Sequence, residues 1–237
     1  MSRDVRGVVL AGGSGSRLHP LTKTTNKHLL PVNGRPMVYY PVERLVEAGV
    51  RDILVVTGVH HVGAIVHQLG SGAEFDARFT YKVQDQAGGI AEALGLAEDF
   101  AQGGAVAVVL GDNLFTAPLR PHLNRWETSG KGAYMLLQAV EDPGRFGVAR
   151  FEADRVVEVV EKPAVPPSRF AVTGIYFYDQ KVYGRISQLL PSARGELEIS
   201  DVNSWYLANR DMEWAELEGP WTDAGTHDSY RRANLIF

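Results

Sequence analysis

The chain has 237 residues, 45% of them hydrophobic and 22% charged, with a net charge of −4 and no cysteine. That composition supplies a sizeable core and excludes disulfides and thiolate metal sites. The acidic balance argues against a general nucleic-acid binder, and no apolar run approaches the ~18 residues of a membrane span. The N-terminus "MSRDVRGVVLAGG" lacks a signal-peptide pattern, so the expectation is a cytoplasmic protein with no membrane and no nucleic-acid partner.

In chain order, "RGVVLAG" (6–12) is short, β-branched and closed by glycine, which predicts a buried strand. "PMVYYPVERLVEAGV" opens on Pro36 and closes at Gly49, with apolar residues at helical spacing. Strands are predicted at 51–58, 79–84 and 105–112, and helices through "HVGAIVHQL" and over 89–100. This alternation implies right-handed βαβ units and a mostly parallel sheet with helices on both faces. After Gly130, "GAYMLLQAV", "FGVARF", "RVVEVVEKP" and "FAVTGIYFYD" read as strands with little between them, an added mixed or antiparallel portion. "KVYGRISQLL" and "ELEISDVNSWYLANR" read as helices, "MEWAELEG" as a strand and "THDSYRRANLIF" as a closing helix. The Pro-rich piece 162–170 reads as a stiff loop.

Ligands of open α/β sheets sit beyond the carboxyl ends of the strands, and the first loop falls there. Gly12, Gly13 and Gly15 allow backbone amides to approach phosphate oxygens. Arg17 can then act as a bidentate fork and Lys27 as a point charge; the alternative is a turn carrying solvated charges. No Gly-Lys-Ser/Thr follows, so this is not a Walker loop, and Leu18 occupies the third glycine position of a dinucleotide fingerprint, which weakens an NAD reading. Asp112 ends the strand "AVAVVLGD", either as a site carboxylate or as half of an Asp-Asn turn. Asp223 lies in "WTDAGT", and two carboxylates over a phosphate chain suit Mg²⁺. Glu161 and Lys162 end a strand before Pro163, as site residues or an edge ion pair. Gln84 ends another, and its amide can donate and accept as reading a base requires. His60, His61 and His67 read as surface histidines, and the four tryptophans as core or interface material.

The motifs "LAGGSGSRLHPLT…NKHLLPV", "GDN", "FGV", "VVEKP", "FAVTGIYFYD", "GELEISDVN" and "WTDAGTHDS" occur in the order seen in sugar-1-phosphate nucleotidylyltransferases. The chain resembles that family from residue 6 to its end. The resemblance implies an α/β fold with a Rossmann-like, mostly parallel mixed sheet flanked by helices and a smaller antiparallel sugar-binding portion, all in one domain over 1–237. It implies dTTP (or UTP) and glucose-1-phosphate as substrates, with Mg²⁺ as cofactor. Leu10, Gly12, Gly13, Gly15, Ser16, Arg17 and Lys27 would hold the triphosphate, with Gln84 and Gly89 facing the pyrimidine. Asp112 and Asp223 would bind Mg²⁺. Asn113, Gly147, Glu161 and Val172 would contact the sugar and Lys162 its phosphate. Arg17, Lys27, Asp112 and Lys162 would carry catalysis by positioning and charge neutralisation, without a general base.

Three departures from the family pattern stand out: Ser16 in place of Thr, His28 in place of Gln, and an end at Phe237 where long members continue into further helices. Those helices form a subunit contact and a feedback site, so the chain reads as the short form. A homodimer or homotetramer is expected, with the apolar and aromatic stretch "MVYYPVERLV" as a subunit contact. A non-catalytic sugar-nucleotide sensor is the competing reading, disfavoured because Arg17, Lys27, Asp112, Lys162 and Asp223 are all present.

Overall fold

A computed structural model of the chain describes residues 4–237. β1 (Val5–Ala11) leads through the glycine loop to a short ladder of β2 (Pro31–Val32) and β3 (Arg35–Pro36), then α1 (Tyr39–Glu47). β4 (Asp52–Gly58), α2 (Val62–Leu69) and β5 (Arg78–Gln84) follow, then α3 (Ile90–Gly95), α4 (Glu98–Ala101), β6 (Ala105–Leu110) and β7 (Asn113–Phe115). α5 (Arg120–Ser129) precedes β8 (Ala133–Ala139), β9 (Gly147–Glu152), β10 (Arg155–Glu161) and β11 (Phe170–Tyr178). The chain closes with α6 (Lys181–Ile186), α7 (Ile199–Ala208), β12 (Met212–Glu216), β13 (Trp221–Asp223) and α8 (His227–Ile236).

Four strands form the expected parallel block: β1 pairs with β4 and β6, and β4 with β5. β11 then runs antiparallel to β6 and to β8, while β12 adds parallel to β8. β9 and β10 form an antiparallel pair, and β9 joins β11 through the ladder pair Val148–Ala171 and the ring contact of Phe151 with Phe170. The antiparallel portion therefore continues the central sheet, which has nine strands among the described residues. Strand residues alternate between two cores. Val8, Leu10, Val106 and Val108 face α3, α6 and α7, while Val9, Ala11, Ala107 and Val109 face α1, α2 and α5.

A third, smaller cluster sets up the site. Leu18 from the glycine loop, Leu30, Val32, Met37, Leu114, Ala224 and Ala233 are buried together. Complete burial of a leucine side chain is worth about 2 kcal/mol, so Leu18 anchors the far end of an otherwise polar loop. The return to Leu-Leu-Pro-Val after Lys27 serves the same purpose.

Several expectations on element boundaries change. Pro36 belongs to the β2–β3 ladder, and the helix begins at Tyr39. The predicted helix 89–100 breaks in two, where Gly95 lowers helix propensity and Ala97 donates to Leu94 in a tighter turn. α7 begins at Ile199, because Leu197 is tied by hydrogen bonds to Gly88 and Ala91 and Glu198 is extended. α5 went unpredicted: it buries only Leu123 and Trp126, too thin a stripe to show periodicity. In "MVYYPVERLV", Met37, Val38, Val42 and Leu45 are fully buried within the chain's own core, while Tyr39, Tyr40 and Val46 are half-buried. No described helix is long and apolar enough to cross a membrane.

Candidate active site

The carboxyl ends of the parallel strands open onto a cleft of about 340 Å³. Leu10, Gly12, Gly13, Arg17 and Lys27 line it from the first loop, and Gln84 and Gly89 from the end of β5 and beyond. Asp112, Asn113 and Asp223 line it, as do Gly147, Glu161, Lys162 and Val172 from the antiparallel strands. Gly15 and Ser16 are set back from the lining: the Gly15 carbonyl accepts from Thr22 Oγ1 at 2.7 Å, and Ser16 opens an exposed 3-10 turn. The exposed His60 and His67 and the half-buried His61 lie outside the cleft.

A pairing invisible in the sequence joins the two carboxylates. β13 runs antiparallel to β7, with Asp223 opposite Asn113, and Ala224 N–H donates to the Asp112 carbonyl at 2.8 Å. Asn113 acts as the bracket. Its Oδ1 accepts from Gly174 N–H at 3.0 Å and Trp221 Nε1 at 2.7 Å, while Nδ2 donates to Asp112 Oδ1 at 3.1 Å. Trp221 is thereby cleft lining rather than core filler. A Cβ at Gly225 would lie 3.3 Å from both Asp223 Oδ2 and Arg17 Nη2, and 3.6 Å from Asp112 Oδ2. These three groups surround one point.

The charges there are unequal. Burial pushes the Asp112 carboxyl up, but the Lys27 ammonium, 2.6 Å from Oδ2, and the Asn113 amide hold it well below the usual carboxylate range. Asp223 goes the other way, pushed up to about 6 by burial and by the Asp112 charge, against the pull of Arg145, Arg17 and Lys27. Like charges facing one another mark a place where positive charge is wanted. Among the described residues no group of three or more His, Cys, Asp or Glu side chains could hold a metal. A cation at this point would draw on two carboxylates and complete its shell with substrate oxygens, the habit of Mg²⁺.

On the opposite side, Glu161 accepts a hydrogen bond from Ser200 and faces Arg194 and Lys162, each 3.4 Å from Oε1. A Cβ on Gly147 would lie 3.3 Å from Glu161 Oε2. Lys162 has φ +42°, a left-handed backbone unusual for lysine, fixed by its N–H donating to the Phe146 carbonyl at 2.9 Å.

The lining also includes polar residues that the sequence motifs do not single out, among them Arg145, Tyr176, Arg194 and Ser200, together with His28, which the sequence marks only as a departure. Arg145 stands just before "FGV", 3.6 Å from Asp223, with a buried Nη2 that lacks a hydrogen-bond partner. Arg194 sits beside "GELEIS", and proximity to an established motif was the available signal for both. His28 is buried against Asn26, its Nδ1 2.7 Å from Oδ1. Burial and the neighbouring Lys27 charge lower its pKa to about 3, so it is a neutral ring.

Residues 6–236 match the nucleotidyl transferase family. The glucose-1-phosphate thymidylyltransferase of Xanthomonas campestris pv. campestris is 43% identical over 236 residues, covering 98% of this chain and 80% of its own. That of Mycolicibacterium smegmatis is 44% identical over 230 residues, covering 95% and 79%. A crystal structure from Bacillus anthracis, assigned as a glucose-1-phosphate thymidylyltransferase and holding a sucrose, superposes with a TM-score of 0.94 at 52% identity, covering 98% of this chain and 94% of that one. A UDP-glucose pyrophosphorylase complexed with UDP-glucose shares the fold at a TM-score of 0.87 and 24% identity, covering 98% and 97%. With its glycine loop, its paired carboxylates and nearly its whole length accounted for, the chain belongs to the nucleotidyl transferase family.

Proposed function

We propose that the chain transfers a thymidylyl group from dTTP to glucose-1-phosphate, making dTDP-glucose and pyrophosphate, with residues 1–237 acting as one nucleotidyltransferase domain. One observation carries this reading: the β7–β13 pairing sets Asp112 and Asp223 between the glycine loop and the Glu161–Lys162 wall. The thymidylyltransferase names of relatives at 43–44% identity support the choice of substrates.

In this reading a sugar-phosphate oxygen, already anionic, attacks the α-phosphorus of dTTP. The new P–O bond forms as the bond to pyrophosphate breaks, and no proton has to move. The work left to the protein is alignment and charge neutralisation. Backbone amides of Gly12 and Gly13, with Arg17 and Lys27, hold the triphosphate. Lys162 and Arg194 hold the sugar phosphate, and Glu161, oriented by Ser200, takes sugar hydroxyls. Asp112 and Asp223 would hold Mg²⁺, which when bound neutralises phosphate oxygens and lowers the charge barrier to attack.

Pyrophosphate release from dTTP, glucose-1-phosphate and Mg²⁺, with dTDP-glucose identified by mass, tests the proposal. No product with dTTP or UTP across a panel of sugar-1-phosphates ends it.

A further inference from the structure

Gln84 lies at the end of β5, 7% exposed, and its amide is held in one orientation. Nε2 donates to Glu92 Oε2 at 2.8 Å and to the Gly89 carbonyl at 3.3 Å. A carboxylate only accepts, so it decides which end of the amide is nitrogen. Both Nε2 protons are engaged away from the nucleotide loop. Oε1 is left on the loop side, 3.1 Å from where a Cβ on Gly12 would stand. Glu92 reaches Gln84 only because residue 88 is glycine: a Cβ there would sit 1.9 Å from Glu92 Oε2.

From this we infer that Glu92 is a specificity-determining positioning residue, which locks the Gln84 amide so that Gln84 offers a base an acceptor and no donor. The inference rests on the nucleotidyl-transfer reading above and deepens it. Thymine and uracil present an N3–H that Oε1 can accept. Cytosine presents a bare N3 lone pair there, acceptor against acceptor, and Gln84 cannot flip to rescue it without turning Oε1 onto the Glu92 carboxylate. Discrimination by an unpaired or repelling polar group is stronger than discrimination by shape. A bland role is also available: Glu92 is an acid in the first turn of α3, favourable to the helix dipole. That role affects stability alone and leaves base preference untouched.

The test uses the full chain with Mg²⁺ and measures Kd for dTTP and for CTP by titration calorimetry, together with kcat/KM for both with glucose-1-phosphate. Glu92→Gln keeps the shape but lets position 92 present either amide end, so both Gln84 orientations become satisfied. The dTTP-over-CTP preference is expected to fall roughly ten- to hundredfold, the worth of a charge-assisted hydrogen bond. The change should lie in the nucleotide KM rather than in that for glucose-1-phosphate. Gly88→Ala, which displaces the Glu92 carboxylate without altering either partner, should lower the same ratio. A wild-type protein that prefers dTTP, with both variants keeping that preference unchanged, overturns the role of Glu92 alone. A wild-type protein that neither binds nor turns over either nucleotide overturns the underlying reading as well.

Discussion

Lys27 Nζ rests 2.6 Å from Asp112 Oδ2, although 85 residues separate the two in sequence, and each side chain is only 13% exposed. Deleting one member of a shielded pair leaves an uncompensated charge that costs roughly 3–5 kcal/mol where no water reaches it. The cleft admits water to Asp112, so Lys27→Met is expected to cost about 2 kcal/mol, a Tm fall of about 4–8 °C. On the proposed role of Asp112 and Asp223, Mg²⁺ bound there would supply the missing positive charge, so calorimetry in EDTA and then in Mg²⁺ should show the deficit shrink. A variant as stable as wild type in EDTA refutes the account.

Asp223→Asn should move stability and activity in opposite directions. Burial and then the facing Asp112 charge push the native carboxyl up to about 6, so its ionised form is disfavoured there when no cation is bound. Removing that charge is expected to raise Tm by about 2–4 °C in EDTA, roughly 1 kcal/mol. Turnover should fall about 10²–10³-fold as the metal loses a ligand, and more Mg²⁺ should be needed to reach the residual rate. Sites that trade stability for function behave this way. Full turnover at low Mg²⁺ refutes the metal role.

What the sequence disclosed, and what it hid, follows from the range of each interaction. The parallel block was legible because β1, β4 and β6 carry apolar runs ended by Gly or Asp, and the glycine loop was legible because its chemistry is local. The meeting of Asp112 with Asp223 was not, since it depends on two three-residue strands 108 residues apart, tied by Trp221 and Asn113. Arg145 and Arg194 were missed for a related reason. A lone arginine beside a loop looks like any solvated charge until tertiary packing turns it inward. His28 shows the reverse: the sequence marked it as a departure, and the structure buries it as a neutral ring beside Lys27.

Gly225→Ala isolates the space between the two carboxylates of the proposed Mg²⁺ site from their charges. The added methyl would crowd Asp223 Oδ2 and Arg17 Nη2 at 3.3 Å without changing any ligand. The far ends of those side chains can yield, so the fold should survive with an unchanged circular dichroism spectrum. The Mg²⁺ concentration for half-maximal rate is expected to rise about tenfold, the effect of a loss of about 1.4 kcal/mol. An unaltered Mg²⁺ titration shows that cation and phosphates gather elsewhere.

Arg17 gives the sharpest separation between a site residue and a solvated loop charge. It is exposed and lines the cleft, with its guanidinium on the Gly225 side, next to Asp223. Negative charge on the phosphate oxygens rises as the α-phosphorus is attacked and pyrophosphate departs, so a fork fixed there should bind the transition state more tightly than the ground state. Loss of one such preorganised group costs roughly 10²–10³-fold in turnover, about 3–4 kcal/mol. Arg17→Ala is therefore expected to lower kcat by that factor while changing the KM for glucose-1-phosphate much less. Arg17→Lys should recover only part of the rate, since it keeps the charge and loses the bidentate geometry. Because the residue is exposed, Tm should stay within about 1 °C, consistent with a surface substitution of less than about 0.5 kcal/mol. Steady-state kinetics at saturating Mg²⁺ decide the matter: a folded Arg17→Ala enzyme with wild-type kcat removes Arg17 from the mechanism.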